Sequence, residues 1–197
     1  MNRVFTQRGF TLVELAIVLV IIGLLIGAVL KGQAMIDDAK QKRLMNDLQG
    51  ISAAYFTYYD RYNAIPGDDT SNHGWAGVTP ASGGNAGNGY INGSNTTDGE
   101  EAHEAWQAMR YTGLLTGDPA ATGVSHLPNT PYGQKYNFGN RNFGSGIGTK
   151  NHIQVTGVSG SIAETVDIKF DDGVYNTGTV QANQPFTNAT VNLYYAL

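Results

Sequence analysis

Gly9-Phe10-Thr11-Leu12-Val13-Glu14-Leu15-Ala16-Ile17 opens an apolar run that continues without a further charge to Leu30. The 21 residues from Phe10 to Leu30 rise about 30 Å as a helix, the thickness of a bilayer's hydrocarbon core. Glu14 is the anomaly. An unpaired charge in such a span costs roughly 2.5–3.5 kcal/mol on insertion scales, so it requires a partner.

Past Leu30 the pattern turns from uniformly apolar to amphipathic, with no proline before Pro66. Leu44, Leu48, Ile51, Tyr55, Tyr58 and Tyr62 fall at alternating steps of four and three, which places them in one helical stripe. The spacing predicts a helix continuing to about Tyr62 whose stripe packs on a globular domain. Asp37, Asp38, Lys40, Lys42, Arg43 and Asp47 occupy the preceding turns and read as a solvated face or a contact with neighbouring subunits.

The short basic leader before Phe10, the Phe-Thr-Leu-Val-Glu run and the unbroken aliphatic stretch resemble the signal of type IV prepilins and of the pseudopilins of type II secretion systems. The resemblance implies cleavage by a prepilin peptidase between Gly9 and Phe10, with methylation of the new amino terminus on Phe10. It assigns Glu14 to assembly, neutralising the terminal ammonium of a neighbouring subunit. It also implies an α+β, pilin-like fold, with a long N-terminal α-helix packed on a C-terminal antiparallel sheet with long loops. The expected segments are a leader at 1–9, a transmembrane and filament-core helix at 10–30, its amphipathic continuation at 31–62 and a globular head at 63–197.

A secretory signal peptide would end in a small-residue cleavage site, which Gly27-Ala28-Val29-Leu30-Lys31 does not offer. Positive charges lie on both sides of the span, Arg3 and Arg8 before it and Lys31, Lys40, Lys42 and Arg43 after it, so charge alone does not orient it. The resemblance implies the amino terminus inside and the carboxyl terminus outside. Without the leader the chain keeps 10 basic against 16 acidic residues, a net charge of −6, which shows no nucleic-acid footprint. There is no cysteine, so the disulfide that closes the C-terminal loop of many pilins is ruled out. The proline that kinks many pilin spines is missing too; near Lys31 stand only Gly23, Gly27 and Gly32.

Beyond Pro66 the chain is rich in glycine and poor in charge, a composition of short elements joined by long loops. Pro66 to Thr97 reads as an exposed loop of the kind that is functional or mobile. Asp98 is the expected cap of a helix that carries Glu100 and Glu101 in its first turn and ends near Gly113. Strands are expected at Lys135–Phe143, His152–Val158 and Ala189–Leu197. Ser161–Phe170 fits both a step of four and a step of two, and its Asp167-to-Gly173 stretch resembles a segment of other prepilin-like proteins, which favours a short helix.

Motifs with sharper chemistry fail on their spacing. His103-Glu104-Ala105-Trp106-Gln107 begins like a zinc-protease helix but has glutamine where the second histidine belongs. Gly144 to Lys150 resembles a phosphate loop, yet threonine precedes the lysine and no helix pattern follows. His73, His103, His126 and His152 show no nucleophile arrangement, so an enzyme is not expected. The tyrosines of the spine, including Tyr59, with Phe56 beside them, read as core packing rather than an electron path.

Calcium is the one cofactor kept open. The Asn85–Asn92 stretch has the glycine and isoleucine of an EF-hand loop, but Gly84, Ala86 and Asn95 fall where ligands are needed. Asp171 and Asp172, or Asp68 and Asp69, could supply oxygens to a different site, as some pseudopilins bind calcium in C-terminal loops. The competing reading is that they only make turns.

The expected function is a structural subunit of a type IV pilus-like filament, a homopolymer built through the N-terminal helix, serving surface attachment, motility or DNA uptake. Its partners would be the prepilin peptidase, the membrane and the inner-membrane assembly machinery. It would start as an inner-membrane precursor and end in an extracellular pilus. One alternative is a pseudopilin or minor pilin of a periplasmic filament. A second, of another class, is a membrane-anchored periplasmic binding module that never polymerises, in which Glu14 has no explanation.

Overall fold

The computed structural model describes residues 9–144 and 146–197; Met1–Arg8 of the expected leader, and Ser145, lie outside the described residues. The chain forms two compact units, one reaching to Lys40 and the other comprising Gln41–Leu197. Helix α1 (Leu12–Tyr62) contributes its first part to one and its last part to the other.

In the first unit every side chain from Phe10 to Leu30 is exposed. Among the described residues α1 is the one helix long and apolar enough to cross a membrane, with a mean hydropathy of 3.0 over its most apolar stretch and none of that stretch buried.

In the second unit the predicted stripe is the buried face of α1: Leu44, Leu48, Ile51, Tyr55 and Tyr58 enter the core together with Ala54, and Tyr62 packs against its margin. The helix stops because Asn63 takes a left-handed conformation, φ 51°, and its N–H bonds back to the Tyr59 carbonyl at 2.7 Å, a common way of ending a helix with asparagine.

Helix α2 (Glu101–Tyr111) inserts Ala102, Ala105, Trp106 and Met109 into the same core. The expected Asp98 cap is corrected: Glu100 is the capping residue, in extended backbone and with no side-chain cap bond. The helix ends at Tyr111, with Gly113 in the left-handed region at φ 73° and its N–H on the Arg110 carbonyl, near the expected stop. The 3-10 turn Gly123–His126 then leads into the sheet.

Four antiparallel strands follow: β1 (Tyr136–Asn142), β2 (Thr149–Ser159), β3 (Val180–Ala182) and β4 (Thr190–Ala196), in the order β1-β2-β4-β3. Three of them fall on the predicted stretches. The sequence reading missed β3, whose three residues are too few to show alternation. Helix α3 (Gly160–Phe170) occupies the ambiguous segment and settles it as helix. Between β1 and β2 the Phe143 N–H bonds to the Gly148 carbonyl at 2.9 Å. This is the α+β, pilin-like architecture of a long N-terminal helix with a C-terminal antiparallel sheet.

The long loop departs from expectation. Pro66–Thr97 has no helix or strand, but Pro66–Asp69 and Ile91 are buried. Four buried carboxylates hold it. Asp68 accepts the N–H groups of Gly87 and Gly89, both at 2.6 Å. Asp69 accepts Ser71 N–H, Glu101 accepts Asn92 N–H, and Glu104 accepts Thr79 N–H and Gly99 N–H. The loop's free amides are satisfied by side chains instead of a sheet ladder. Its last part also closes the open edge of β1: Asn95 accepts Phe138 N–H at 2.7 Å and donates to the Phe138 carbonyl at 2.7 Å, imitating a neighbouring strand and shielding a pairing-prone edge.

Candidate functional site

The N-terminal residues assemble into a cap. Thr11 lies just before the first residue of α1, and its hydroxyl oxygen accepts Glu14 N–H at 3.2 Å. Glu14 Oε2 in turn accepts the Thr11 N–H at 2.7 Å and the Thr11 hydroxyl at 2.8 Å. This is a capping box, the Thr-x-x-Glu arrangement in which the two residues satisfy each other's exposed donors. The Thr-x-x-Glu spacing was its signal in the sequence. The carboxylate also sits where the helix dipole favours negative charge. Phe10, Leu15, Ile17 and Val18 surround it with exposed apolar surface.

Gly9 and Phe10 are both exposed, ahead of the helix. A peptide bond in non-helical, accessible chain is the kind a peptidase reaches. Residues 5–30 match the family model of the Prokaryotic N-terminal methylation motif. The chain carries a prepilin signal, the type found on type IV pilins and pseudopilins. That signal implies processing by a peptidase and association with a membrane. No curated protein and no solved structure gives a match to this prepilin-type chain.

The two aspartate pairs considered for calcium have different environments. Asp68 spends both oxygens on loop amides. Asp69 accepts the Tyr58 hydroxyl at 3.0 Å and lies 2.9 Å from His73 Nε2, in addition to holding Ser71. Burial alone would raise the Asp69 carboxyl, but its bonds from His73, Ser71 and Tyr58 outweigh that and hold it below its ordinary value. In this structure the pair anchors the loop. Asp171 and Asp172, by contrast, come together with a third carboxylate that the sequence reading did not count, Asp167. The i, i+4 spacing of Asp167 and Asp171 was the available signal.

The histidines also have partners that spacing did not disclose. His103 and His126 pack ring on ring with centroids 4.2 Å apart. Asp98 lies 3.0 Å from His103 Nε2, though not aligned for a hydrogen bond. Arg110 reaches His126 through its carbonyl oxygen. Burial pushes His126 down to about 4, reinforced by His103 and Arg110 against the pull of the Asn95 carbonyl. His152 is likewise pushed down to about 4 by burial and by Arg141. His126 and His152 are neutral, interior rings. Gln107, where a zinc helix would carry its second histidine, donates to the Ala121 carbonyl at 3.2 Å.

Proposed function

We propose that this chain is a structural subunit of a type IV pilus-like filament, cut between Gly9 and Phe10, methylated on Phe10 and polymerised through the first part of α1. The observation that carries the reading is the prepilin signal at residues 5–30 followed by a helical stretch with no buried residue. Phe10 and Leu12 are more than four-fifths exposed, and the aliphatic side chains behind them remain uncovered. A contiguous apolar surface of that size calls for lipid or for protein. A membrane supplies the first in the precursor and neighbouring helices the second in a filament.

Glu14 is the polar element of the assembly. Its carboxylate can meet the ammonium that cleavage creates on a neighbouring Phe10, which pairs two charges that are each costly in an apolar filament core. The carboxyl-terminal unit would then face outward, and the protein would pass from the inner membrane to the cell surface. The test is intact mass of the protein recovered from sheared surface filaments and from membranes. A chain that starts at Phe10 and carries one added methyl in the sheared fraction is the expected result. The same species confined to membranes would move the assignment to a pseudopilin or minor pilin, and an uncut chain would sink the reading.

A further inference from the structure

The last turn of α1 carries two tyrosines, Tyr59 and Tyr62, whose spacing of three puts them on one side of the helix. Together with Asn63, which ends the helix, they line an open groove of about 550 Å³. Thr70, Gly87 and Gly89 of the long loop complete the lining. That volume is within the range of small-ligand sites, about 300–1,000 Å³.

The groove is held in shape from beneath. Asp68 and Asp69, which also line it, are buried. Asp68 fixes the Gly87 and Gly89 amides, while Asp69 fixes the Ser71 amide and the Tyr58 hydroxyl. The Tyr62 ring is braced edge-on by His73 and Trp75, with centroids 5.1 and 5.5 Å away. A ligand therefore meets a surface that it does not have to order. Tyr59, by contrast, is 45% exposed, and Asn63 and Thr70 are exposed beside it.

The lining selects the chemistry of the ligand. None of these residues is basic, and two are carboxylates, so an anion is repelled. The carboxylates are already engaged by the loop amides. What the groove offers is tyrosine rings, hydroxyls and an amide, which suit a neutral molecule with apolar faces and a hydroxyl edge. A pyranose ring has that form: its C–H faces lie against the negative face of an aromatic ring, and its hydroxyls exchange hydrogen bonds with amide and hydroxyl side chains. We propose that this groove binds a neutral glycan, with Tyr59 as the stacking platform and Asn63 and Thr70 as hydrogen-bonding partners. The site belongs to a single subunit and does not depend on the filament assignment.

The experiment screens the full chain, in micelles of a detergent without a sugar headgroup, on a printed array of neutral and acidic glycans. The strongest binder is then titrated in solution by calorimetry. Wild type should bind neutral glycans. Tyr59→Ala should weaken the strongest of them about tenfold or more, the scale of one lost aromatic contact, whereas Tyr59→Phe keeps the ring and should retain most of the affinity. Asn63→Gly suits the left-handed backbone at that position; it should also weaken binding, and it replaces Tyr59→Ala should that variant not fold. Tyr90→Ala removes an exposed tyrosine outside the groove and should bind as wild type does. Failure to bind any neutral glycan on the array would overturn the proposal, as would binding of acidic glycans alone. Neutral-glycan binding that neither Tyr59→Ala nor Asn63→Gly weakens would also overturn it, placing the site elsewhere.

Discussion

Thr11 and Glu14 satisfy each other across the first turn of α1: the carboxylate accepts both the backbone N–H and the hydroxyl of Thr11, and the hydroxyl oxygen accepts the Glu14 N–H. Glu14 therefore has two separable properties, an acceptor that caps its own helix and a charge available to a neighbour. Glutamine keeps the first and loses the second, since a capping box functions with either residue. Glu14→Gln and Glu14→Ala should both leave processing at Gly9 largely intact and both cut filament yield, because each contact weakened by about 1.4 kcal/mol lowers association tenfold. Normal filament yield from Glu14→Gln would show that capping, not charge pairing, is what assembly needs.

Processing itself is tested at Gly9, which is exposed and has open space around its α-carbon. Since none of the described residues opposes a side chain there, Gly9→Val should leave the folded protein unchanged in stability while blocking cleavage. Intact mass would then show only uncut, unmethylated chain in the membrane fraction. A normally trimmed Gly9→Val product would move the cleavage site elsewhere.

Asn151 is the polar hub of the second unit. Its side chain accepts Ile91 N–H at 2.7 Å and donates to the Tyr55 hydroxyl and the Gly89 carbonyl, each at 3.0 Å; its carbonyl accepts Leu197 N–H at 2.8 Å. Helix α1, the long loop and the C-terminus meet at this one residue of β2. Asn151→Ala leaves buried groups of the loop unpaired and should cost about 2–4 kcal/mol, measured by denaturant unfolding. A loss under about 1 kcal/mol would mean that water or loop movement re-pairs them.

The spine was legible because periodicity survives burial: Leu44, Leu48, Ile51, Tyr55 and Tyr58 alternate by three and four, and those residues are the buried face. The prepilin signal was legible because it is local. What could not be read were pairings set by distant backbone. Asp68 looked like a turn residue or a metal ligand, but its partners at Gly87 and Gly89 are brought to it only by the folded loop. Likewise Asn95 looked like a failed calcium ligand, whereas it serves as a surrogate strand for Phe138.

Gly67 shows the same dependence on tertiary structure. It stands at φ +86°, and a Cβ would overlap the Glu101 carbonyl oxygen and come within 3.0 Å of Ala105 Cβ. Both the backbone conformation and the contact with α2 therefore demand glycine. Gly67→Ala should destabilise by about 2 kcal/mol or more, visible as a lowered Tm. Gly77→Ala, with a similar φ of +83° but open surroundings, should cost only the conformational part, and equal losses at the two positions would show that the α2 contact contributes nothing.

Acid should destabilise the second unit through its histidines, and Asp167 should oppose the effect. His126 and His152 are pushed down to about 4 from an ordinary 6.5, so the stability gained from keeping them neutral is complete above pH 6.5. It is lost as the pH falls toward 4, by up to about 1.4 kcal/mol per pH unit for each ring. Asp167 has the opposite sign: raised to about 6 from 3.8, it favours the fold when protonated, and that contribution is lost as the pH rises from 3.8 through 6. In chelator, the wild-type Tm should fall between pH 6.5 and 4 with two histidine losses set against one aspartate gain. Asp167→Asn removes the gain and should fall more steeply over the same range. A Tm that stays flat down to pH 4 would mean that the two rings are open to water, and parallel curves for wild type and variant would mean that Asp167 does not titrate in this window.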